Sequence, residues 1–438
     1  MAREHTPIQI GLPPEAAWEM AQPATTQYIA FVAGDEMPDP GDAFIAAGES
    51  FGVAPQQVAP MPVEAEVVAW AFEFRVPSRG ERLMLWCERV EEGQTPDRQV
   101  TDARWAIFIE SVLEPSRPVE DAVALAATVA RAGGARTRLV FTPDLALIFS
   151  AEDVRRLFLA SPPGQLLDER HLYRIEVVAK DRANGPYWLS TVGFWRIGRP
   201  ELEMLEIPAD ELRSALELLD ALASRLATEP LPGAGVPFEA GVDLRVALVP
   251  AAEAAETLDA GMPGSLEDRK RLARGPRAAV CAAGKRGSFR AVWMPPHDEL
   301  QAIARGERAL FLAPRVVEVR ERRARAEWDA FVASFAAHGA DRSRAHFAKV
   351  AVLNTGATSG EGVEHVWIEV ESADASGVCG VADRVATDAP DGRQSASRAA
   401  SQIACPIDRV GDWLVRGVIV PGYPTPVDAT PESASILR

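Results

Sequence analysis

Leu172-Tyr173-Arg174-Ile175-Glu176-Val177-Val178-Ala179, Tyr187-Trp188-Leu189-Ser190-Thr191-Val192-Gly193-Phe194-Trp195-Arg196 and Leu202-Glu203-Met204-Leu205-Glu206-Ile207 follow one another closely in the chain. Each is a short run rich in β-branched and aromatic residues, and the intervening residues favour turns, so the spacing predicts three strands. From about Ala209 to Ala227 the period changes. Leu212, Leu216, Leu219, Leu222 and Leu226 recur at helical spacing and predict an amphipathic helix. Several strands, then helices, then further strands describe an α+β fold with a mixed N-terminal sheet and packed helices.

Upstream, Val67 to Val76 places Trp70, Phe72 and Phe74 on alternate positions, the period of a half-buried strand. Leu83–Cys87 and Trp105–Val112 read similarly. Pro118 opens a helix to Ala132 that Gly133-Gly134 ends, and Leu139–Phe149 is extended. Ser150-Ala151-Glu152-Asp153 reads as a helix start with Ser150 as its cap. Residues 1–60 are rich in Pro, Gly and Ala and read as an irregular segment, although Tyr28–Val32 could form a strand. The Pro38–Asp42 cluster reads as a turn.

Pro230-Leu231-Pro232-Gly233 marks an expected boundary after an α+β domain over 61–230. Residues 231–317 read as a linker with a small α+β extension, including strands at Val242–Val249, Arg290–Met294 and Ala309–Leu312. A helix is expected over Val319–Ala337, with Trp328, Phe331, Val332 and Phe335 on one face. It opens a small β-rich α+β C-terminal domain at 318–428, with strands at His346–Leu353, His365–Glu371 and Cys379–Val385. Thr387–Ser401 reads as a flexible loop and 429–438 as a disordered tail.

The chain has 438 residues, 47% hydrophobic and 25% charged, which excludes wholesale disorder and collagen-like repeats. Asp and Glu outnumber Lys and Arg by 63 to 46, a net charge of −17 that disfavours nucleic acid as the main partner. The charge is uneven: residues 1–266 are acidic and 267–350 basic, the latter holding Arg269-Lys270-Arg271, Lys285-Arg286 and Arg320–Arg325. A basic belt could recruit an acidic partner, but a solvated helix face docked on acidic neighbours accounts for it more simply. No apolar run is long enough to cross a membrane and no signal peptide is visible. Four cysteines without a paired spacing suit a reducing cytoplasm, and the excess of Arg over Lys suits a GC-rich bacterial genome.

Motifs for common cofactor chemistry are missing. There is no Walker-type loop, no GxGxxG after a strand, no HExxH and no GxSxG, and only six histidines are present, so no cofactor is expected. Glu361, Glu364 and His365 cluster before a strand and carry divalent-metal ligand chemistry, although a hydrogen-bonded polar strand end explains them as well. Cys379 and Cys405 share the C-terminal domain without a neighbouring base to activate them. Asp408 and Asp412 flank Val410-Gly411 before Trp413. They could pair as carboxylates, or serve as turn residues beside a core tryptophan.

Two stretches resemble known families. Ala326-Glu327-Trp328 with Phe331, His346-Phe347-Ala348-Lys349-Val350, Glu364-His365-Val366-Trp367-Ile368-Glu369-Val370, Gly377-Val378-Cys379-Gly380-Val381, Asp412-Trp413 and Pro421-Gly422-Tyr423-Pro424-Thr425 occur in this order. The ordered set resembles the bacterial domain of unknown function 2314, or YegJ-like family, over about 318–428. Pro424 interrupts its closing pattern. Tyr187–Phe194, with Gly198-Arg199-Pro200-Glu201-Leu202-Glu203, is similar to the signature of the domain of unknown function 4026, over about 60–230. That signature carries two histidines where this chain has Ser190 and Val192, so any histidine chemistry there is lost. Trp188, its leading aromatic, joins Glu361, Glu364, His365, Asp412 and Trp413 as a candidate functional residue. Neither resemblance implies an activity.

The resulting expectation is a non-catalytic cytoplasmic protein-binding module, with an immunity or accessory factor as one specific form. Its acidic N-terminal part would suit a basic protein partner. The alternative is a hydrolase-type enzyme using Glu361, Glu364 and His365. The oligomeric state is left open.

Overall fold

The computed structural model describes residues 24–52, 56–60, 68–75, 82–160 apart from 92 and 99, 162–181, 185–259, 261–269, 275–283, 294–339, 346–354, 362–382, 402–407 and 410–415, together with Trp18. The protein is α+β and divides into two compact units, Met1–Leu312 and Ala313–Arg438. Its strands fall into three sheets, each drawn from one continuous stretch of sequence.

The first sheet contains β1 (Thr25–Ala33), β2 (Gln56–Pro60), β3 (Val68–Arg75), β4 (Arg82–Arg89), β5 (Ala103–Val112), β6 (Thr137–Thr142) and β7 (Leu147–Ser150). Its order is β2-β3-β4-β5-β1-β6-β7, with every neighbouring pair antiparallel. The stretch expected to be irregular therefore supplies an inner strand. Val32 and Ala30 of β1 are fully buried, because β1 is flanked by β5 and β6 and lies under a helix. That helix, α2 (Pro118–Gly133), is apolar nearly all round, as a fully buried helix must be. A Cβ at Gly133 would come within 2.8 Å of Val32, so glycine permits the close approach.

The expected turn at Pro38–Asp42 is instead the start of α1 (Pro40–Phe51). Asp39 accepts from the Gly41 and Asp42 amides at 2.6 and 3.2 Å, Pro40 occupies the first turn, and Gly52 ends the helix at φ +66°. Turn and helix-cap chemistry share Asp and Pro, and the tertiary fold selects the cap here. Ser150 caps α3 (Ala151–Asp153) as expected, with Asp153 returning the hydrogen bond.

The second sheet contains β8 (Arg174–Ala179), β9 (Tyr187–Val192), β10 (Glu201–Ile207), β11 (Phe238–Gly241), β12 (Leu244–Pro250) and β13 (Arg277–Ala282), in the order β11-β12-β13-β10-β9-β8. All pairs are antiparallel except β10 with β13, where Glu201–Glu203 run parallel to Arg277–Ala279. This corrects the boundary expected at 230: the chain before and after Pro230–Gly233 builds one sheet. The Gly235 amide donates to the Leu248 carbonyl at 2.6 Å, so the Pro/Gly cluster is a tight loop inside the unit. Helix α4 (Leu212–Leu226) packs Leu218, Leu219, Leu222 and Leu226 into the core, as the heptad-like leucines predict. Short helices α5 (Ala251–Ala255), α6 (Leu266–Arg269) and α7 (His297–Ala304) follow. His297 and Gln301 bond Glu211 at 2.7 and 3.1 Å and tie α7 to the start of α4. One continuous core runs through both sheets of this unit. The strand expected at Ala309–Leu312 is reduced to a single bridge between Leu310 and Gly241, and residues 290–293 lie outside the described residues.

The second unit opens with α8 (Pro314–Ala326) and α9 (Trp328–His338), where a single helix was expected. The break falls at Glu327, whose backbone (φ −103°, ψ 11°) leaves helical geometry while Trp328 and Phe331 turn into the core. The third sheet contains β14 (His346–Asn354), β15 (Gly362–Asp374), β16 (Gly377–Ala382), β17 (Gln402–Pro406) and β18 (Val410–Val415), all antiparallel, in the order β17-β16-β15-β14-β18. The expected loop at 387–401 and tail at 429–438 lie outside the described residues.

Candidate functional site

The β9–β10 hairpin gathers the densest set of buried polar groups in the first unit. Glu201, Glu203, Ser190 and Thr191 are all at most 5% exposed. A buried carboxylate is tolerated only with partners, and each of the two has its own set. Thr191 Oγ1 donates to Glu201 Oε2 at 2.6 Å and the Gly193 amide donates to Glu201 Oε1 at 2.7 Å. Thr191 Oγ1 also accepts from the Leu202 amide at 2.8 Å, which closes the hairpin. Gly193 is required for this geometry. Its φ is +118°, and a Cβ there would lie 2.7 Å from the Leu172 carbonyl oxygen.

Burial raises the Glu201 carboxyl to about 7, outweighing its hydrogen bonds from Thr191 and Gly193 and the charge of Arg277. Glu203 is handled differently. Arg269 bonds one of its oxygens, and Arg277 Nη1 bonds the other at 2.6 Å. Arg277 Nη1 also donates to Ser190 Oγ at 3.0 Å, so Ser190 serves as a link in this network. The Arg269 guanidinium lies 5.7 Å from the Trp188 ring centre and donates from Nε to the Gly264 carbonyl at 2.9 Å. Gly264 itself presses on Trp188: a Cβ there would come within 3.0 Å of the ring. Trp188 is therefore buried as the floor of an ion-pair network, and its indole N–H has no partner in the structure.

The sequence singled out Trp188 and the Glu201-Leu202-Glu203 run but missed both arginines. Arg269 was read within a basic belt, whereas its charge is spent internally on Glu203. The usable signal was the pair of glutamates in an otherwise apolar strand, since buried acids demand cations. A second buried group lies nearby in sequence. Burial favours a neutral Asp168, but hydrogen bonds from His171 and Arg170 and their charges hold its carboxyl well below the usual carboxylate range.

The other candidates lie in the second unit. Glu361 is outside the described residues, as is Asp408. Glu364 and His365 lie on β15, registered opposite Val352 and Ala351 of β14. Asp412 and Trp413 lie on β18, opposite Lys349 and Ala348. Glu364–His365 and Asp412–Trp413 thus belong to strands on either side of β14. Among the described residues no group of three or more His, Cys, Asp or Glu is placed to hold a metal. The four cysteines are free, and burial pushes the Cys87 and Cys281 thiols up to about 12, which disfavours a nucleophilic thiolate at either. An open groove of about 340 Å³ beside α1 is lined by Asp39, Asp42, Glu49, Arg131 and Arg136. Arg131 there is already held by Ser50 at 2.6 Å and Glu49 at 3.8 Å.

Outward from the hairpin, β8 is the last strand of the second sheet and pairs only with β9 among the described residues. Val177 and Val178, adjacent on it and so on opposite faces, are 43% and 41% exposed.

Fold and site together define an α+β protein whose second sheet is pinned by internal ion pairs and open along one edge. Residues 175–281 match the family model described as "Protein of unknown function (DUF4026) C-terminal". The match covers nearly the whole second sheet, from Ile175 in β8 to Cys281 in β13. It supports the 4026 resemblance but places it later than the expected 60–230, because the sheet continues past Pro230. Comparisons with curated proteins and with solved structures returned no match.

Proposed function

We propose that the protein is a non-catalytic cytoplasmic protein-binding module that engages its partner along the β8 edge. The observation that carries this reading is the open edge of β8, with Val177 and Val178 exposed on both faces. Such an edge offers unpaired backbone donors and acceptors with apolar side chains beside them, the requirements for strand addition. The polar residues of the neighbouring hairpin point the same way: Glu201, Glu203 and Ser190 are engaged with protein groups and serve the scaffold. Four free thiols suit a reducing compartment, and no helix among the described residues is long and apolar enough to cross a membrane. The acidity of residues 1–266 favours a basic partner, and an immunity or accessory factor of bacterial origin is the form this takes. The YegJ-like resemblance of the second unit is consistent with an assembly of binding modules.

The test is affinity capture of the tagged full chain beside a Val177→Asp/Val178→Asp variant, at low and moderate salt. A stoichiometric partner retained by the wild type and lost by the variant is expected. A partner held equally by both contradicts edge binding.

A further inference from the structure

We propose that the β8 edge pairs with the β8 edge of a second copy of this chain, antiparallel about a two-fold axis through Val178. The inference rests on the edge-binding reading above and names the partner. Two-fold pairing of one strand with itself brings residues of equal parity face to face, because both copies present the same face. Only a few registers are then open to β8. An axis at Glu176 sets two buried-edge carboxylates against each other. An axis at Val177 sets Arg174 against the partner's Lys180, again like charges. An axis at Ile175 reaches into Leu172 and Tyr173, which are already buried in the core.

The axis at Val178 removes each conflict. Glu176 faces the partner's Lys180 and Lys180 faces the partner's Glu176, so the strand supplies both halves of two ion pairs. The two Val178 side chains meet at the axis on that face. On the other face Val177 meets the partner's Ala179. Both exposed valines are thereby covered, and each copy's second sheet continues into the other's. The sequence around the edge agrees with this register: Lys180 is exposed, and the Glu176 side chain is 42% exposed while paired with Arg174. The contact is short, so the association is expected to be concentration-dependent.

The test is sedimentation velocity on the full chain from low to several hundred micromolar, for the wild type, Glu176→Lys, Lys180→Glu and the double variant Glu176→Lys/Lys180→Glu. A reversible dimer is expected, weakened at least tenfold by either single reversal and restored by the double reversal. Two different single variants guard against a folding defect in one, and far-UV circular dichroism checks each. A chain that stays monomeric throughout, or a dimer indifferent to both reversals, overturns the proposal. If the chain is monomeric yet still loses a captured protein in the Val177→Asp/Val178→Asp variant, self-pairing has failed and the edge-binding reading stands. If that capture is also unaffected, both have failed.

Discussion

Glu201 and Glu203 stand two residues apart on one strand and answer burial in opposite ways. Glu203 keeps its charge by sitting between two guanidinium groups, and Glu201 is pushed toward the neutral acid by the loss of water. The consequences separate experimentally. Glu203→Ala leaves two cations facing each other without their anion and should cost about 3–5 kcal/mol in chemical denaturation. Glu201 has a folded value of about 7 against an ordinary 4.5, so the folded state holds the extra proton between these values. Its contribution is fully present below about 4.5 and is lost as pH rises through 7, on the order of 3 kcal/mol. Glu201→Gln should flatten the stability profile between pH 5 and 7, since an amide can serve both Thr191 and Gly193. Asp168 acts with the opposite sign. Its carboxyl is held low, so its stabilisation is present above the ordinary value of 3.8 and is lost as pH falls through it. Asp168→Asn should remove that part of the acid limb. An unchanged profile in Glu201→Gln would show that its carboxyl is not burial-shifted.

At the scale of elements, local patterns were legible and long-range pairings were not. Trp70 and Phe74 alternate on β3 and both are buried, with Phe72 packed against the same core. Ser150 and Asp153 cap each other as their spacing implies, and the α4 leucines face inward. The parallel pairing of β10 with β13 joins residues more than 70 positions apart, and nothing local encodes it. For the same reason the arginines that meet Glu203 were invisible while its burial was not. Two misreadings had local causes. Pro38–Asp42 carries signals that turns and helix caps share. At Glu327 good helix formers surround a break that tertiary packing of Trp328 imposes. Asp39→Ala should cost about 1 kcal/mol, because two amides of the α1 first turn lose their acceptor. A loss under a few tenths, read from the denaturant midpoint, would mean that the cap contributes little.

For the whole molecule the sheet topology sets which pieces can fold. A fragment ending at 230 lacks β11, β12 and β13 and leaves β10 with an empty side, whereas residues 1–312 keep the first unit intact. Circular dichroism melts should show a cooperative transition for 1–312 and none for 1–230. Cooperative melting of 1–230 would restore a domain boundary at Pro230–Gly233. The same topology leaves β8 as an end strand and gives the molecule its proposed means of binding. The most direct measurement is the paired capture experiment on the wild-type chain and Val177→Asp/Val178→Asp. The account predicts a stoichiometric protein retained by the first and absent from the second, with both chains folded. Equal retention by the two, from chains of equal stability, would contradict it.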